Sequence, residues 1–388
     1  MTSKVDIPLS VPEISGNEWK YIKECLDTNW VSYLGSFVDQ FEDTIADYVG
    51  AKHGVATVNG TAALHTALLV AGIEAEDEVL VSTLTFIAPV NAIRYIGAWP
   101  VFIDSEPKYL QMDANKVVEF LEKECRWTSG ALYNKVTGRR IKAILPVHIL
   151  GHPVDMDPIV EIARKYDLIV IEDAAESLGA RYKGKKVGHL GDISCFSFNG
   201  NKVITTGGGG MIATDNESWA LRAKHLTTQA KSDKLEYLHD EIGYNYRMNN
   251  IQAAMGLAQM EKLNEFIDKK RQIAATYSEG LKGVPNLVLM CEDEHAHSTY
   301  WLYTLLVGQL DSKQSSRELI KQMNQIGIHS RPLWLPAHLQ KMYGDCLFYG
   351  TNCAENLYDL AVQLPSSVGL TDDQANYVLT AIRDNCKQ

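Results

Sequence analysis

Short apolar runs alternate with segments of helical periodicity between about residues 60 and 210, and this alternation is the strongest constraint on the fold. Strand, helix, strand at such intervals predicts a mostly parallel sheet with helices on both faces. Ligands of such sheets bind beyond the carboxyl ends of the strands, so we expect the functional side chains there. The predicted strands are 78–82, 100–104, 141–147, 168–171 and 193–198.

The pattern changes at Asn249, where apolar residues begin to recur at helical spacing as far as Ile267. This stretch predicts a helix that leads out of the first domain. The rest of the chain mixes short strands, such as 300–307, with helices around 317–320 and 373–383.

A chain of 388 residues exceeds what one hydrophobic core commonly serves. We therefore predict an α/β protein with two domains. Residues 1–250, including the N-terminal segment, form the large domain with its mostly parallel sheet between helices. Residues 251–388 form the connecting helix and a smaller α+β domain.

The charge and cysteine content exclude some classes of function. The formal net charge is −11, so the chain as a whole repels polyanions, and we expect no nucleic-acid partner. The seven cysteines are scattered without CxxC spacing, which is typical of a reduced, cytoplasmic protein. No apolar run approaches the length of a membrane span, so we expect no membrane association.

Asp173 and Lys202 are the strongest candidates for chemistry. Asp173 lies at the strand tip, just after the apolar run at 168–171. A carboxylate there can hold a pyridine nitrogen protonated. Lys202 lies in a turn that follows the run at 193–198, and the four glycines at 207–210 follow it; an amine there can form a Schiff base. Taken singly, Asp173 fits a turn former or helix cap and Lys202 fits a solvated surface charge. Taken together, they indicate the two ends of a pyridoxal phosphate ring.

Three motifs resemble those of the DegT/DnrJ/EryC1/StrS family of nucleotide-sugar aminotransferases. The segments that carry the resemblance are 173–179 (DAAESLG), 197–202 (SFNGNK) and 243–254 (GYNYRMNNIQAA). The resemblance implies the fold-type I architecture of pyridoxal-phosphate-dependent aminotransferases. Within the family, the chain is most similar to the branch of legionaminic acid biosynthesis, through segments 7–12, 83–92 and 331–334.

Near the cofactor phosphate, the resemblance implies roles for the residues around Asn59. Gly60, Thr61 and Ala62 open an alanine-rich helix, whose free N–H groups and dipole favour an anion, although an ordinary helix cap explains the same pattern. By resemblance, Ser197 adds a hydroxyl to the same phosphate.

The resemblance also places residues around the ring and the substrate. Phe86 covers one face of the pyridine ring, and Glu176 lies near its hydroxyl edge. Asn245 reaches the phosphate of the neighbouring subunit, which implies a homodimer with shared active sites. Arg331 and His338 match a family loop near the sugar nucleotide, although a surface arginine and a satisfied loop histidine explain them equally well.

The implied activity is transamination. Lys202 carries the cofactor and acts as the base, glutamate is the amino donor, and the acceptor is a nucleotide-linked keto-sugar. For the legionaminic branch, the amine goes to C4 of a UDP-2-acetamido-4-keto-2,4,6-trideoxyhexose. The eleven histidines form only two close pairs, without a convincing set of acidic or thiolate ligands, so we expect no metal.

Three alternatives stay open. A related sugar dehydratase has the same fold and cofactor but carries histidine where Lys202 stands. A cofactor-binding regulator would have no catalytic role, although the chain shows no helix-turn-helix segment. A nicotinamide enzyme is disfavoured because the glycines at 207–210 lack the GxGxxG spacing.

Overall fold

A computed structural model describes residues 5–233, 235–308 and 316–386 of the chain. The helices are α1 (Glu18–Asp27), α2 (Ser36–Val49), α3 (Gly60–Val70), α4 (Ala88–Tyr95), α5 (Ala114–Lys123), α6 (Met156–Lys165), α7 (Glu217–Thr227), α8 (Asn250–Met260), α9 (Leu263–Gly280), α10 (Ser316–Gln325), α11 (Cys353–Leu360) and α12 (Asp372–Cys386). None of these helices is both long enough and apolar enough to cross a bilayer.

The strands are short, and most belong to one large sheet. They are β1 (His53–Thr57), β2 (Glu78–Ser82), β3 (Trp99–Ile103), β4 (Cys125–Thr128), β5 (Ala131–Asn134), β6 (Arg140–Leu145), β7 (Ile169–Asp173), β8 (Arg181–Tyr182), β9 (Lys185–Lys186), β10 (Ile193–Ser197), β11 (Gly210–Thr214), β12 (Leu287–Leu289), β13 (Ala296–His297), β14 (Tyr303–Val307), β15 (Phe348–Tyr349) and β16 (Ala361–Leu364).

The large sheet has ten strands in the described part of the chain, and its main path runs β1-β11-β10-β7-β6-β2-β3-β15. Strands β10, β7, β6, β2, β3 and β15 pair in parallel, whereas β11 runs antiparallel to both β1 and β10. The five strands predicted from the apolar runs are all present, as β2, β3, β6, β7 and β10. The predicted α/β fold with a mostly parallel sheet is therefore confirmed.

Helices cover both faces of this sheet because successive side chains of its strands point to opposite sides. In β2, Val79 and Val81 belong to one hydrophobic cluster and Leu80, between them, belongs to the other. Both clusters are closely buried, and such two-sided burial is what a continuous apolar strand predicts. Because the parallel strands all point the same way, their carboxyl ends meet at one edge, where β7 ends at Asp173 and β10 at Ser197.

The later part of the chain begins with two helices rather than one. The predicted helical stretch from Asn249 divides between α8 and α9, at Glu261 and Lys262. The Asn249 side chain caps α8 by accepting a hydrogen bond from the backbone N–H of Gln252. The Gln252 side chain in turn accepts one from the backbone N–H of Asn249. Helix α9 then leads to a small antiparallel sheet in the order β12-β14-β16, against which α10 and α11 pack, while α12 packs on α9 and α10.

The two parts of the chain are connected by more than α9. Strand β15, from the later part, extends the large sheet by pairing with β3, and β13 pairs with β8. At the other end, Ile7 forms a bridge with Ile328. The division into domains at residue 250 remains a proposal. Residues 1–4 of the first predicted domain and residues 387–388 of the second lie outside the described ranges.

Candidate functional site

A cavity of about 420 Å³ opens at the carboxyl ends of the parallel strands, where the sequence predicts the site. Its lining combines residues that are far apart in the chain. The predicted residues among them are Gly60, Thr61, Phe86, Asp173, Glu176, Ser197, Lys202 and Arg331. A wider groove of about 620 Å³ runs past Glu13 and Lys269, but it gathers no comparable set of groups, so chemistry rather than volume identifies the site.

Asp173 is held rigidly at the end of β7. Its backbone N–H donates to Pro146, its carbonyl accepts from His148, and its Oδ1 accepts from the N–H of Ala175 at 3.0 Å. Burial raises the pKa of this carboxyl, while the Ala175 N–H and the Lys202 ammonium oppose the rise. A cationic N–H donor beside the carboxylate would favour its charged form, and a protonated pyridine nitrogen is such a donor.

The residue before Asp173 fixes the direction of this strand end. Glu172 is fully buried and accepts hydrogen bonds from the N–H groups of Gly188, Leu190 and Gly191, and its carboxylate lies 3.1 Å from Nε2 of His148. Burial alone would raise the pKa of Glu172, but these partners hold it below its ordinary value. His148 therefore has a structural partner, and the pair supports the strand end that carries Asp173.

Lys202 lies in the predicted turn, where its N–H donates to the carbonyl of Asn199. Its amine Nζ is 3.4 Å from Oε1 of Glu176 and 4.2 Å from the centre of the Trp301 ring. The other carboxylate oxygen of Glu176 accepts from the N–H of Leu150 at 2.8 Å. Burial raises the pKa of Glu176, and the nearby Lys202 opposes this. The amine is thus held between an acid and an aromatic face.

The start of α3 lies against the end of β10, so a helix N-terminus and a hydroxyl meet at one wall. Gly60 makes this approach possible because a Cβ at that position would lie 2.8 Å from Cβ of Ser197. The Asn59 side chain accepts from the N–H of Ala62 at 2.8 Å and caps the helix. Ala62 is buried outside the lining, and its N–H is already committed, whereas Gly60, Thr61 and Ser197 line the cavity.

Two other predicted residues also lie outside the cavity lining. Asn245 is exposed, and its backbone bridges to Thr228, so the expectation that it serves a neighbouring subunit stays a prediction. The His338 side chain is 9% exposed; its ring stacks on Phe348 and has nitrogens 2.6 Å from Thr83 Oγ1 and 3.2 Å from Glu355 Oε1.

These contacts occupy both ring nitrogens of His338, so the structure places this side chain in the packing beside β3 and not at the cavity wall. Arg331, in contrast, is exposed and lines the cavity. Its carbonyl accepts from the N–H of Gln363, which anchors the Arg331 backbone beside the cavity.

The lining also includes residues that sequence reasoning did not assign to the site, among them Thr85, Trp301 and Trp334. Thr85 is 2% exposed, and its hydroxyl has no hydrogen-bond partner among the described residues. Its position next to Phe86 was a usable signal. The two tryptophans stack on each other. Trp334 lies in segment 331–334, which carries part of the family resemblance, whereas no motif marks Trp301.

These features fit pyridoxal phosphate. The cavity has a buried carboxylate at one side, a lysine amine, an aromatic side chain, and a helix start with hydroxyls at another side. The unpartnered hydroxyl of Thr85 adds a buried polar atom that a bound group would satisfy.

Comparison with known proteins agrees with this chemistry. The model of the DegT/DnrJ/EryC1/StrS aminotransferase family matches residues 12–383. A GDP-perosamine synthase of Caulobacter vibrioides is 40% identical over 380 residues, which cover 97% of each chain. A UDP-N-acetyl-3-dehydro-alpha-D-glucosamine 3-aminotransferase of Acidithiobacillus ferrooxidans is 33% identical, over 90% of this chain and 89% of that protein.

Among solved structures, S. venezuelae DesV, crystallised with a ketimine intermediate, superposes with a TM-score of 0.85 at 29% identity, over 96% of this chain and 95% of that one. The fold-type I architecture and the pyridoxal phosphate cofactor predicted from the motifs are thereby confirmed.

Proposed function

Because the chain belongs to the DegT/DnrJ/EryC1/StrS aminotransferase family, we propose that it transfers an amino group from L-glutamate to the keto carbon of a nucleotide-linked sugar. One observation carries this proposal: the buried carboxylate of Asp173 and the amine of Lys202 line the same cavity, together with the start of α3. The first two groups suit the opposite ends of the cofactor ring, and the helix start suits its phosphate.

Each residue has a distinct part in this proposal. Asp173 accepts the hydrogen bond of the ring nitrogen and keeps its proton in place. Thr61 and Ser197 donate hydroxyl hydrogen bonds to the phosphate, and Gly60 keeps the wall open for it. Phe86 covers the ring. When bound, pyridoxal phosphate supplies an electron-withdrawing ring that stabilises negative charge on the substrate carbon next to the nitrogen.

Lys202 performs the proton transfers. Its amine would hold the cofactor covalently in the resting enzyme, and it would be free to act as a base once the donor is bound. The free amine then removes the proton from the α-carbon of glutamate, acting as a general base. Glu176, 3.4 Å away, keeps a carboxylate beside the amine during this transfer. In the second half of the reaction, Lys202 moves a proton at the sugar carbon that receives the nitrogen.

Two classes of acceptor have support. The resemblance to the legionaminic branch favours C4 of a UDP-2-acetamido-4-keto-2,4,6-trideoxyhexose. The 40% identity to proteins named GDP-perosamine synthase favours a GDP-linked keto-sugar instead. Both acceptors need the same chemistry from Lys202 and Asp173, and they differ in what the outer part of the cavity must recognise, where Arg331 lies.

A panel of UDP-linked and GDP-linked keto-sugars, incubated with ¹⁵N-labelled glutamate and analysed by mass spectrometry, tests the proposal. We expect one member of the panel to gain the labelled nitrogen. A product that has lost oxygen without gaining nitrogen would instead identify a dehydratase. Cofactor binding without any turnover across the panel would favour the regulator. Either outcome would overturn the proposed transfer.

We also infer that the protein acts as a homodimer in which Asn245 completes the phosphate site of the neighbouring subunit. Asn245 is exposed and does not line the cavity of its own chain, which leaves it available to a neighbouring subunit. A cytoplasmic location is inferred from the cysteines, all seven of which are free.

A further inference from the structure

Trp301 approaches the cavity from the later part of the chain, just before β14. The residue is 3% exposed, and the centre of its ring lies 4.2 Å from Nζ of Lys202. The indole also stacks on Trp334, with the two rings 6.4 Å apart and 5° from parallel. Lys202 therefore has an aromatic face on one side and Glu176 on another.

The same indole holds the turn that carries Lys202. Its Nε1–H donates to the carbonyl of Asn201, the residue before Lys202, at 2.6 Å. The Ser10 hydroxyl donates to the same carbonyl at 3.0 Å. A movement of the indole would thus disturb both the surface facing the amine and the backbone that sets its position.

The backbone of Trp301 is fixed from two sides. Its N–H donates to the carbonyl of Leu150 at 3.0 Å, and its carbonyl accepts from the amine of Lys270 at 3.1 Å. Leu150 also donates its own N–H to Glu176, so one residue positions both neighbours of the Lys202 amine.

This approach requires an unusual backbone at Leu150 and Gly151. Leu150 has a positive φ of 60°, and Gly151 has a φ of 86°. A Cβ on Gly151 would lie 2.2 Å from Oγ1 of Thr299 and 2.8 Å from the N of Trp301. Only glycine there allows the segment before β14 to lie close enough to place Trp301 over Lys202.

We propose that Trp301 is a positioning residue for Lys202, whose ring face holds the ammonium that forms when the amine takes the α-proton of the donor. This inference rests on the proposed function. The negative face of an indole attracts a cation, so the ammonium that forms on Lys202 gains a favourable contact with the ring 4.2 Å away. It also limits the directions in which a flexible lysine side chain points. In the transfer, the donor C–H bond breaks, its electron pair stays with the donor carbon, and the proton joins the lysine nitrogen.

A leucine at position 301 would occupy part of the same space without an aromatic face. From the strength of such contacts, we expect Trp301→Leu to slow proton transfer about threefold to thirtyfold. Trp301→Phe keeps a ring face and loses only the bond to Asn201, so its effect should be smaller. Trp99 supplies a matched control because the guanidinium groups of Arg94 and Arg139 each lie 4.1 Å from its ring, at the opposite end of the strands.

The first measurement needs no turnover. Full-length protein freed of cofactor is labelled with a trace of acetic anhydride, and peptide mass spectrometry compares Lys202 with the exposed Lys185 in the same digest. We expect Lys202 to react at least about threefold faster in Trp301→Leu than in the wild type or in Trp99→Leu. Lys270, which is buried, should stay unlabelled and thereby report that the fold is intact. If Trp301→Leu is insoluble, Trp301→Met replaces it with the same expectation.

The second measurement follows the donor half-reaction with α-deuterated glutamate. In Trp301→Leu the isotope effect should rise, because proton transfer becomes more rate-limiting, while half-saturation by glutamate changes less than about twofold. A merely structural defect would not raise the isotope effect selectively.

Wild-type labelling and a wild-type isotope effect in Trp301→Leu would overturn the proposal, and so would a Trp301→Phe variant as impaired as Trp301→Leu. The Lys202→Ala variant distinguishes a failure of the proposed function from a failure of the role assigned to Trp301. If it turns over normally, the proposed function fails; if it is inactive while Trp301→Leu behaves as wild type, only the role of Trp301 fails.

Discussion

The amine of Lys202 lies 3.4 Å from a carboxylate oxygen of Glu176, and the other oxygen of that carboxylate is fixed by the backbone N–H of Leu150 at 2.8 Å. The acid cannot follow a moving lysine without losing a buried hydrogen bond. Glu176 is thus the fixed member of the pair.

Lys202→Ala should abolish the covalent attachment of the cofactor and lower turnover by at least about 10³-fold, because the attachment point and the general base are lost together. Borohydride reduction and peptide mapping of the wild type should locate the pyridoxyl group on Lys202. The surface variant Lys185→Ala serves as control and should keep both properties. A pyridoxyl group mapped to another lysine would refute the assignment.

Asp173→Asn should fold and bind cofactor but lose most of its activity, because the shape is retained while the charge that holds the ring proton is removed. The lost charge-assisted hydrogen bond is worth about 1.5–3 kcal/mol, before any change in ring electronics. Turnover and cofactor affinity are compared by steady-state kinetics and absorbance titration.

Asp113→Asn makes the same chemical change at the cap of α5, where asparagine caps equally well, and should leave both measurements unchanged. Near wild-type turnover in Asp173→Asn would show that Asp173 has no part in the electronics of the ring.

Mixing two inactive variants should restore activity if Asn245 acts in the neighbouring subunit. In a mixed dimer of Lys202→Ala and Asn245→Asp, one site carries both defects and the other neither, since the new carboxylate opposes only the phosphate that it faces. Activity is measured after subunit exchange has been verified by native mass spectrometry. Verified mixed dimers without activity would restrict Asn245 to its own chain or to no role.

Lys270→Met should change how stability depends on pH. Burial lowers the pKa of Lys270 from 10.5 to about 7, and the neutral amine has two N–H donors for the carbonyls of Trp301 and Ser366. Between these two pKa values the unfolded chain binds more protons than the folded one. The free energy of unfolding of the wild type therefore increases as pH rises.

Lys270 contributes at most about 1.4 kcal/mol per pH unit to the rise of the unfolding free energy with pH. This contribution should be absent in Lys270→Met. Urea unfolding of both proteins at several pH values from 7 to 9 measures the difference. Lys269→Met is the control, because Lys269 is partly exposed on the same helix and lies 4.0 Å from Asp372. Parallel pH profiles for wild type and Lys270→Met would contradict the prediction.

The sequence predicts the parts of the site that depend on local pattern. Asp173 follows a buried apolar run, and parallel strands end at one edge, so the period predicts that Asp173 lies at the ligand-binding edge of the sheet. The place of Ser197 was implied by the family resemblance. The start of α3 carries its own capping signal at Asn59. These residues lie on elements of the large sheet whose neighbours are dictated by the strand order.

Trp301 and His338 could not be placed in this way. Their surroundings depend on how the later part of the chain packs against the large sheet, through contacts that no local period encodes. Tertiary packing turned His338 toward Thr83 and Glu355, although its loop had suggested the substrate, and it brought Trp301 to the site without any motif. The break between α8 and α9 also escaped prediction, because apolar residues continue across Glu261 at helical spacing.

Strand β15 has a consequence for biosynthesis. It comes near the end of the chain, yet it pairs with β3, which the ribosome completes much earlier. Until β15 has emerged, the β3 edge of the sheet offers unpaired N–H and C=O groups to any other nascent strand. Ile7 likewise waits for its bridge to Ile328. The large sheet therefore reaches its final edge only after residues 348 and 349 have been synthesised, so a stall between β3 and β15 leaves the β3 edge open to pairing with another chain.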